Sequence, residues 1–198
     1  MKYLKDYNTP IFWAEGHPGK LDKDSWKIEI SGLVERPTIL SWKEIMNLPS
    51  KTVKARLTSV TRWSIEGEWT GIPVSEIANF FKMKKEAKFL RVYSYRKIYD
   101  TTIDITIAFK EKTILAYKFN GFDLTEDYGG PIRLLVPYLW GYKSAKSIVK
   151  VEFTDIYTSG FWEKRGYTDH ATFEKTLVKD LNDDGNLKPF PFDDTSNL

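Results

Sequence analysis

Short runs in which apolar and polar residues alternate, each closed by glycine, asparagine or proline, constrain this chain more than any other feature. WKIEI at Trp26–Ile30 stops at Ser31-Gly32, KFLRVYSY covers Lys88–Tyr95, YDTTIDITI covers Tyr99–Ile107, and KSIVKVEFTDI covers Lys146–Ile156. Alternation with a period of two marks half-buried strands. TILAYKFNG, PIRLLVPY and the Val-, Leu- and Thr-rich stretch Lys51–Thr61 predict further strands, with turns at Asn120-Gly121 and Gly129-Gly130-Pro131. Helical spacing is confined to short stretches. In LSWKEIMNLP, Ser41 is the predicted N-cap with Glu44 three residues on, and Pro49 closes the helix; GIPVSEIANFFKM restarts the helical period after Pro73. Strands and short helices mix without a βαβ rhythm, so the predicted fold class is α+β with mixed sheets. One domain is expected over residues 1–178, followed by a surface or flexible tail over residues 179–198, where the sequence turns polar and Pro-rich.

The charges narrow the partners. Thirty basic and twenty-seven acidic residues are interspersed, with no basic stripe to suggest nucleic acid. The absence of cysteine excludes disulfides, zinc ribbons, iron–sulfur clusters and thiol catalysis. MKYLKDYNTP contains no apolar export core and no 18-residue apolar run occurs, so neither export nor membrane spanning is expected and the cytoplasm is the default location. Aromatic residues make up 15% with 7 Trp, which fits a bulky core, a stacking surface or a cleft for a flat organic cofactor.

Few stretches suggest chemistry. Asp180, Asn182, Asp184 and Gly185 match the start of a calcium loop, but Pro191 occupies the position of the bidentate Glu, which argues against calcium. His17 and His170 are far apart and lack thiol companions, so both are read as surface residues. No G-x-S-x-G, Walker A or G-x-G-x-x-G motif is present. RLLVPYLWGYKSAKS is more informative: Arg133 opens a strand, and the turn after Gly141 carries Lys143, Ser144 and Lys146. Freed backbone amides, a hydroxyl and ammonium groups make a phosphate seat, with Arg133 as a bidentate clamp; a solvated basic turn reads equally well from this stretch alone.

Four stretches, WKIEISGLVERPTILSWKEIMNLP, SVTRWS with WTGIPVSEI, GGPIRLLVPYLWGYKSAKSIVKVEF and GFWEKRGY, together resemble the molybdopterin-binding oxidoreductases of the sulfite oxidase superfamily. The likeness runs from about Asn8 to Tyr167 and is closest to small single-domain, cytoplasmic-type members related to the methionine sulfoxide reductase catalytic subunit. It implies a sulfite oxidase-like fold around one Mo-molybdopterin, which does the redox chemistry. The resemblance places Ser144, Ala145 and Lys146, with Lys143 beside them, in the phosphate seat, and makes Arg133 a cofactor-contacting arginine. Tyr128, Ser94 and the pair Trp13-Ala14 take further cofactor-contacting positions, although Tyr128 stands where relatives place Asn or His. Thr168 replaces a frequent His, and Arg62 replaces a small residue beside the metal position.

The family's cysteine that ligates molybdenum corresponds to Ser59 in LTSVTRWS. A thiolate is soft and readily ionised, whereas a hydroxyl is hard and far less acidic. Ser59 then either ligates the metal as an alkoxide, leaves the metal to the dithiolene sulfurs, or marks a chain that keeps only the fold or pocket. The leading expectation is oxygen-atom transfer on a small sulfur-oxo substrate such as sulfite or a sulfoxide, with Ser59 at the metal, Arg62 as the nearest cation for an anionic substrate, and a separate electron-transfer partner. The alternatives are a non-catalytic pterin- or ligand-binding protein on the same fold, and an aromatic-lined module for carbohydrate or peptide.

Overall fold

The computed structural model describes residues 1–192. In chain order the first strands and helices are β1 (Lys27–Gly32), β2 (Thr38–Ser41), α1 (Trp42–Met46), β3 (Lys51–Ser59), β4 (Trp63–Pro73), α2 (Val74–Phe80), β5 (Phe89–Ser94) and β6 (Asp100–Asp104). They are followed by α3 (Ile105–Ala108), β7 (Ile114–Phe119), β8 (Phe122–Asp123), β9 (Arg133–Leu135), β10 (Ile148–Thr154), β11 (Thr176–Asp180) and β12 (Asn186–Phe190). The strands form a five-stranded sheet in the order β2-β1-β10-β5-β6 and a seven-stranded sheet along β12-β11-β4-β7-β8, with β3 paired to β4 and β9 to β7. β1 runs parallel to β10 while β10 runs antiparallel to β5, so the first sheet is mixed, as α+β implies. No helix among the described residues is long and apolar enough to cross a membrane.

Local sequence explains most boundaries. Ser41 caps α1 as expected: its Oγ accepts from Glu44 N–H while the Glu44 carboxylate accepts from Ser41 N–H at 2.8 Å. The strand predicted over Tyr99–Ile107 stops at Asp104, whose carboxylate accepts from Thr106 N–H at 2.7 Å and starts α3 instead. Asn120 and Gly121, both at positive φ, turn β7 back onto β8.

β4, the spine of the larger sheet, has no expectation behind it. Its alternation is broken by Gly67 and Gly71, which are there for close approach: a Cβ on Gly67 would sit 2.3 Å from the Phe119 ring, and one on Gly71 would sit 2.2 Å from Leu115 O. That clearance lets Trp69 and Phe119, both fully buried, meet edge to face at 4.7 Å between ring centroids. Trp69 Nε1 donates to Ala55 O at 3.2 Å, so its one polar atom is satisfied inside the core.

The tail expected from residue 179 is corrected by the structure as far as residue 192. β11 runs parallel to β4 at Lys179–Trp63 and Asp180–Ser64, and β12 pairs antiparallel with β11. Polar composition misled because this hairpin lies at a sheet edge and buries one face only, with Val178 and Phe190 inward. Residues 193–198 of the predicted tail lie outside the described residues. Phe190 is 2% exposed and packs on Trp140, Phe173 and Phe192. Phe190→Ala is expected to lower stability by about 3–5 kcal/mol, read as a drop in the urea midpoint at unchanged slope, whereas a flexible tail would give no change.

Candidate functional site

β3 and β4 are joined by a three-residue hairpin loop at residues 60–62, with Ser59 paired to Trp63 and Arg62 N–H donating to Ser59 O at 2.9 Å. Arg62 takes the left-handed conformation that such loops need at their last position, φ 71°. Ser59 Oγ accepts from Thr61 N–H at 3.1 Å and lies 2.8 Å from Thr61 Oγ1. Gly141 carries the next turn against this strand end, since a Cβ there would meet Thr58 O at 3.0 Å.

Between these two turns opens a cavity of about 540 Å³, within the range of small-molecule and cofactor sites. Ser59, Trp13, Ala14, Ser94, Tyr128, Arg133, Ser144, Ala145 and Lys146 all line it. Nine sequence positions drawn from distant parts of the chain thus meet in one chamber.

Two cations define one end. Arg133, 4% exposed, donates from Nη1 to Tyr128 O at 2.8 Å and from Nη2 to Ser144 O at 2.9 Å, and sits 5.8 Å over the Trp69 ring. It has no carboxylate partner among the described residues, its Nε is unpaired, and burial lowers its pKa to about 10. Lys146 donates from Nζ to Phe12 O at 2.7 Å and Asp127 O at 3.2 Å, and lies 4.7 Å over the Trp13 ring. Burial first, then the Arg133 charge, depress Lys146 to about 7. Gly129, at φ +95°, makes room for the lysine stem: a Cβ there would lie 2.7 Å from Lys146 Cγ. Ser144 Oγ accepts from Val136 N–H at 2.9 Å, which leaves its own proton to give.

Polar satisfaction supplies the fit test. Six buried side-chain polar atoms lack a partner among the described residues, and five belong to residues of this cavity: Thr9 Oγ1, Trp13 Nε1, Glu15 Oε1, Ser94 Oγ and Arg133 Nε. Native interiors pair such atoms, so their concentration here marks a place built for a polar ligand. Two cations at one end and aromatic walls from Trp13, Tyr99, Tyr142, Trp162 and Tyr167 suit a flat heterocycle with an anionic tail. Among the described residues there is no group of three or more His, Cys, Asp or Glu that could hold a metal ion.

Two expected site residues are not brought into the cavity. Lys143 turns inward: its fully buried Nζ pairs with Glu163 and donates to Thr102 O at 2.9 Å. The 3-10 turn that opens at Gly141 ends at Lys143, so Lys146, three residues on, leaves it and reaches the carbonyls of Phe12 and Asp127 instead. Arg62 leaves the cavity because its side chain bonds Thr176 Oγ1 of β11 and lies 5.8 Å over the Trp140 ring. It lines a second cleft, which shares Pro10, Thr61 and Trp63 with the first. Thr9, Glu15, Thr61, Trp63, Tyr99, Tyr142, Trp162 and Tyr167 also line the cavity and were not singled out. Glu15 directly follows the expected pair Trp13-Ala14, and Trp162 and Tyr167 lie in GFWEKRGY, so segment resemblance located them without naming them. Both histidines are exposed, and His17 pairs with Asp127 at 3.0 Å. Asp180 pairs with Lys188 of β12 at 2.9 Å and Asn182 with Glu66 backbone atoms of β4, so these two calcium-like side chains are engaged by neighbouring strands.

A family model described as the oxidoreductase molybdopterin-binding domain matches residues 14–162. The chain is 31% identical over 159 residues to the uncharacterized oxidoreductase YuiH of Bacillus subtilis (strain 168), covering 80% of each chain. It is 30% identical to the putative protein-methionine-sulfoxide reductase subunit YedZ1 of Azospira oryzae, over 79% of this chain and 59% of that one. It is 31% identical to the protein-methionine-sulfoxide reductase catalytic subunit MsrP of Campylobacter jejuni, over 75% of this chain and 56% of that one. The chain therefore spans less than two thirds of these two sulfoxide reductase relatives. The sulfane dehydrogenase SoxCD from Paracoccus pantotrophus shares the fold, with a TM-score of 0.66 at 20% identity over 87% of this chain and 46% of that one.

Lys146 should leave a pH signature in the ligand-free protein. Its folded pKa of about 7 lies below the value of about 10.4 for a free lysine, so between those pH values the unfolded chain carries a proton that the folded chain does not. This group's penalty is complete below pH 7 and is relieved as pH rises toward 10. In phosphate-free buffer, Lys146→Met is expected to raise the urea midpoint most at pH 6, with the gain over wild type shrinking steadily by pH 10. A pH-independent difference would show that the ammonium is not desolvated.

Proposed function

The chain belongs to the oxidoreductase molybdopterin-binding domain family, and from that premise we propose that this cavity holds one molybdenum-bearing pterin and serves oxygen-atom transfer on a small sulfur-oxo substrate such as sulfite or a sulfoxide. The observation that carries the reading is a pair of cations without carboxylate partners among the described residues, the buried Arg133 and the half-buried Lys146, at one end of an aromatic chamber. Arg133, Ser144 and Lys146 would hold the phosphate; Trp13, Ala14, Ser94 and Tyr128 would contact the pterin; Ser59 would face the metal. When bound, the cofactor supplies two-electron oxygen-atom chemistry.

The chain's own residues contribute binding, orientation and exclusion of water. Arg133 is fixed by two carbonyls and keeps Nε–H to donate. Lys146 recovers its charge when an anion arrives, because an opposite charge reverses the effect of burial. Phe12 and Trp162, 6.1 Å apart, close one side of the chamber. The sulfur-oxo substrate is supported by relatives named for sulfoxide reduction and a structural neighbour named for sulfane oxidation. Relatives named as a subunit and a catalytic subunit support a separate electron-transfer partner.

One observation favours a second reading, a pterin bound without turnover. Ser59 Oγ is already an acceptor for Thr61 N–H and lies within hydrogen-bond distance of the Thr61 hydroxyl, so its own loop satisfies it. Metal analysis with fluorescent pterin extraction separates the readings: about one molybdenum per pterin supports turnover, and pterin without molybdenum supports binding alone. Lys146→Ala is expected to lower the pterin retained per chain under both. Ser59→Cys restores a soft ligand and is expected to raise molybdenum content and activity with sulfite or a sulfoxide; if neither moves, the redox reading fails.

A further inference from the structure

Glu15 is the one acidic side chain lining the cavity among the described residues, and the resemblance assigned it no role. It is 7% exposed; its Oε2 accepts from Tyr99 N–H at 3.1 Å, whereas Oε1 is buried with no partner among the described residues. A buried carboxylate oxygen left without a donor is costly, on the order of 1–3 kcal/mol or more, so a fold that keeps one has a donor to receive. The segment carrying it is held firmly. Arg96 donates to Glu15 O at 2.9 Å, Tyr95 Oη donates to Gly16 O at 2.9 Å, and Lys146 holds Phe12 O. The backbone around Glu15 is thus held by three hydrogen bonds from two other segments, and its buried carboxylate is oriented by Tyr99 N–H.

Arg133 and Lys146 are held by the carbonyls of Tyr128, Ser144, Phe12 and Asp127, whereas the Glu15 carboxylate is held by Tyr99 N–H and has no ion pair with either cation among the described residues. The cavity therefore has a cationic end that suits a phosphate and, separately, a carboxylate that suits N–H donors. A pterin carries both complements: an exocyclic amine with ring N–H groups on the heterocycle, and a phosphate at the end of its side chain. The geometry points to Glu15 as the acceptor that recognises the N–H edge of the pterin, fixing which way the ring enters the chamber. This rests on the cofactor reading above and adds to it a residue that favours a phosphorylated ring with an N–H edge, as a pterin has, over one without. Trp13 Nε1, also unpaired, supplies a donor to the same chamber, so acceptor and donor atoms of a heterocycle both find partners.

The test is a fluorescence titration of ligand-free protein with a pterin monophosphate, with inorganic phosphate as a competitor. Glu15→Gln is close to isosteric and can still accept from Tyr99 N–H through its amide oxygen, but it turns an NH2 donor toward the pterin's own donors. Loss of a charge-assisted hydrogen bond is expected to weaken pterin monophosphate about 10- to 100-fold while phosphate competes as it does in wild type. Glu15→Asp, which keeps the charge and shortens the reach, is expected to give an intermediate loss and serves as the readout should the Gln variant not fold. Pterin monophosphate bound equally by wild type, Glu15→Gln and Glu15→Asp, with Lys146→Ala weakened, would overturn this assignment and leave the cofactor reading intact. Failure of the wild type itself to bind would overturn both.

Discussion

A guanidinium buried without a carboxylate sets the terms for the rest of this structure. Desolvating a lone charge costs several kcal/mol even after the surroundings relax, and here two backbone carbonyls and the face of Trp69 offset only part of it. The supports are themselves structural. Trp69 belongs to a compact core with Phe119, Leu135 and Tyr128, and that core exists because glycines in β4 let the strands close on it. Tyr128 and Ser144, whose carbonyls grip Arg133, lie on opposite sides of β9 in sequence. Packing and hydrogen bonds thus hold this cation at the chamber wall, where the proposed cofactor's anionic end would meet it.

The neighbouring lysines show how the charge is balanced. Lys143 and Lys146 lie three residues apart, yet Lys143 is neutralised by Glu163 in the interior and Lys146 faces the chamber. Two cations then remain, which matches a phosphate monoester carrying about −1.5 to −2. A third would leave uncompensated charge after binding. The Lys143–Glu163 pair also ties the turn that supplies Ser144 to the segment that supplies Trp162 and Tyr167, so the anion-binding end and the aromatic wall are fixed relative to one another. Burial of such a pair contributes little to stability in general, and its contribution here is geometric.

Local pattern revealed strands β1, β3, β5, β7 and β10, the Ser41 cap and the Asn120-Gly121 turn, because each follows from the period and chemistry of adjacent residues. β4 and the β11–β12 hairpin escaped for opposite reasons. One trades alternation for glycines that serve a partner strand, and the other is an edge whose outer face is as polar as a loop. At the site, one turn pointed to Arg133, Ser144, Ala145 and Lys146, which line the chamber together, while Lys143 and Arg62 turn to Glu163 and Thr176, partners too remote in sequence to be foreseen. Glu15 was invisible for a similar reason: nothing adjacent to it says that one oxygen finds Tyr99 and the other finds none.

Ser59 is where these constraints meet chemistry. The hairpin loop that follows it is shaped by its own turn, with Arg62 in a left-handed conformation and Thr61 N–H aimed at the γ-atom of residue 59. An N–H donor stabilises a deprotonated γ-atom whether it is sulfur or oxygen, so the loop favours the ionised form of either side chain. It does so weakly for a hydroxyl, whose proton is far harder to remove than that of a thiol. β11 braces the same loop through Lys179 N–H donating to Arg62 O at 2.9 Å, and that strand lies beyond the residues matched by the family model. Position 59 is therefore held in place by strand pairing and turn geometry, independently of what it ligates. Under the proposed reading, an oxygen in place of a sulfur here would change the hardness of the group offered to the cofactor while leaving its position to the fold.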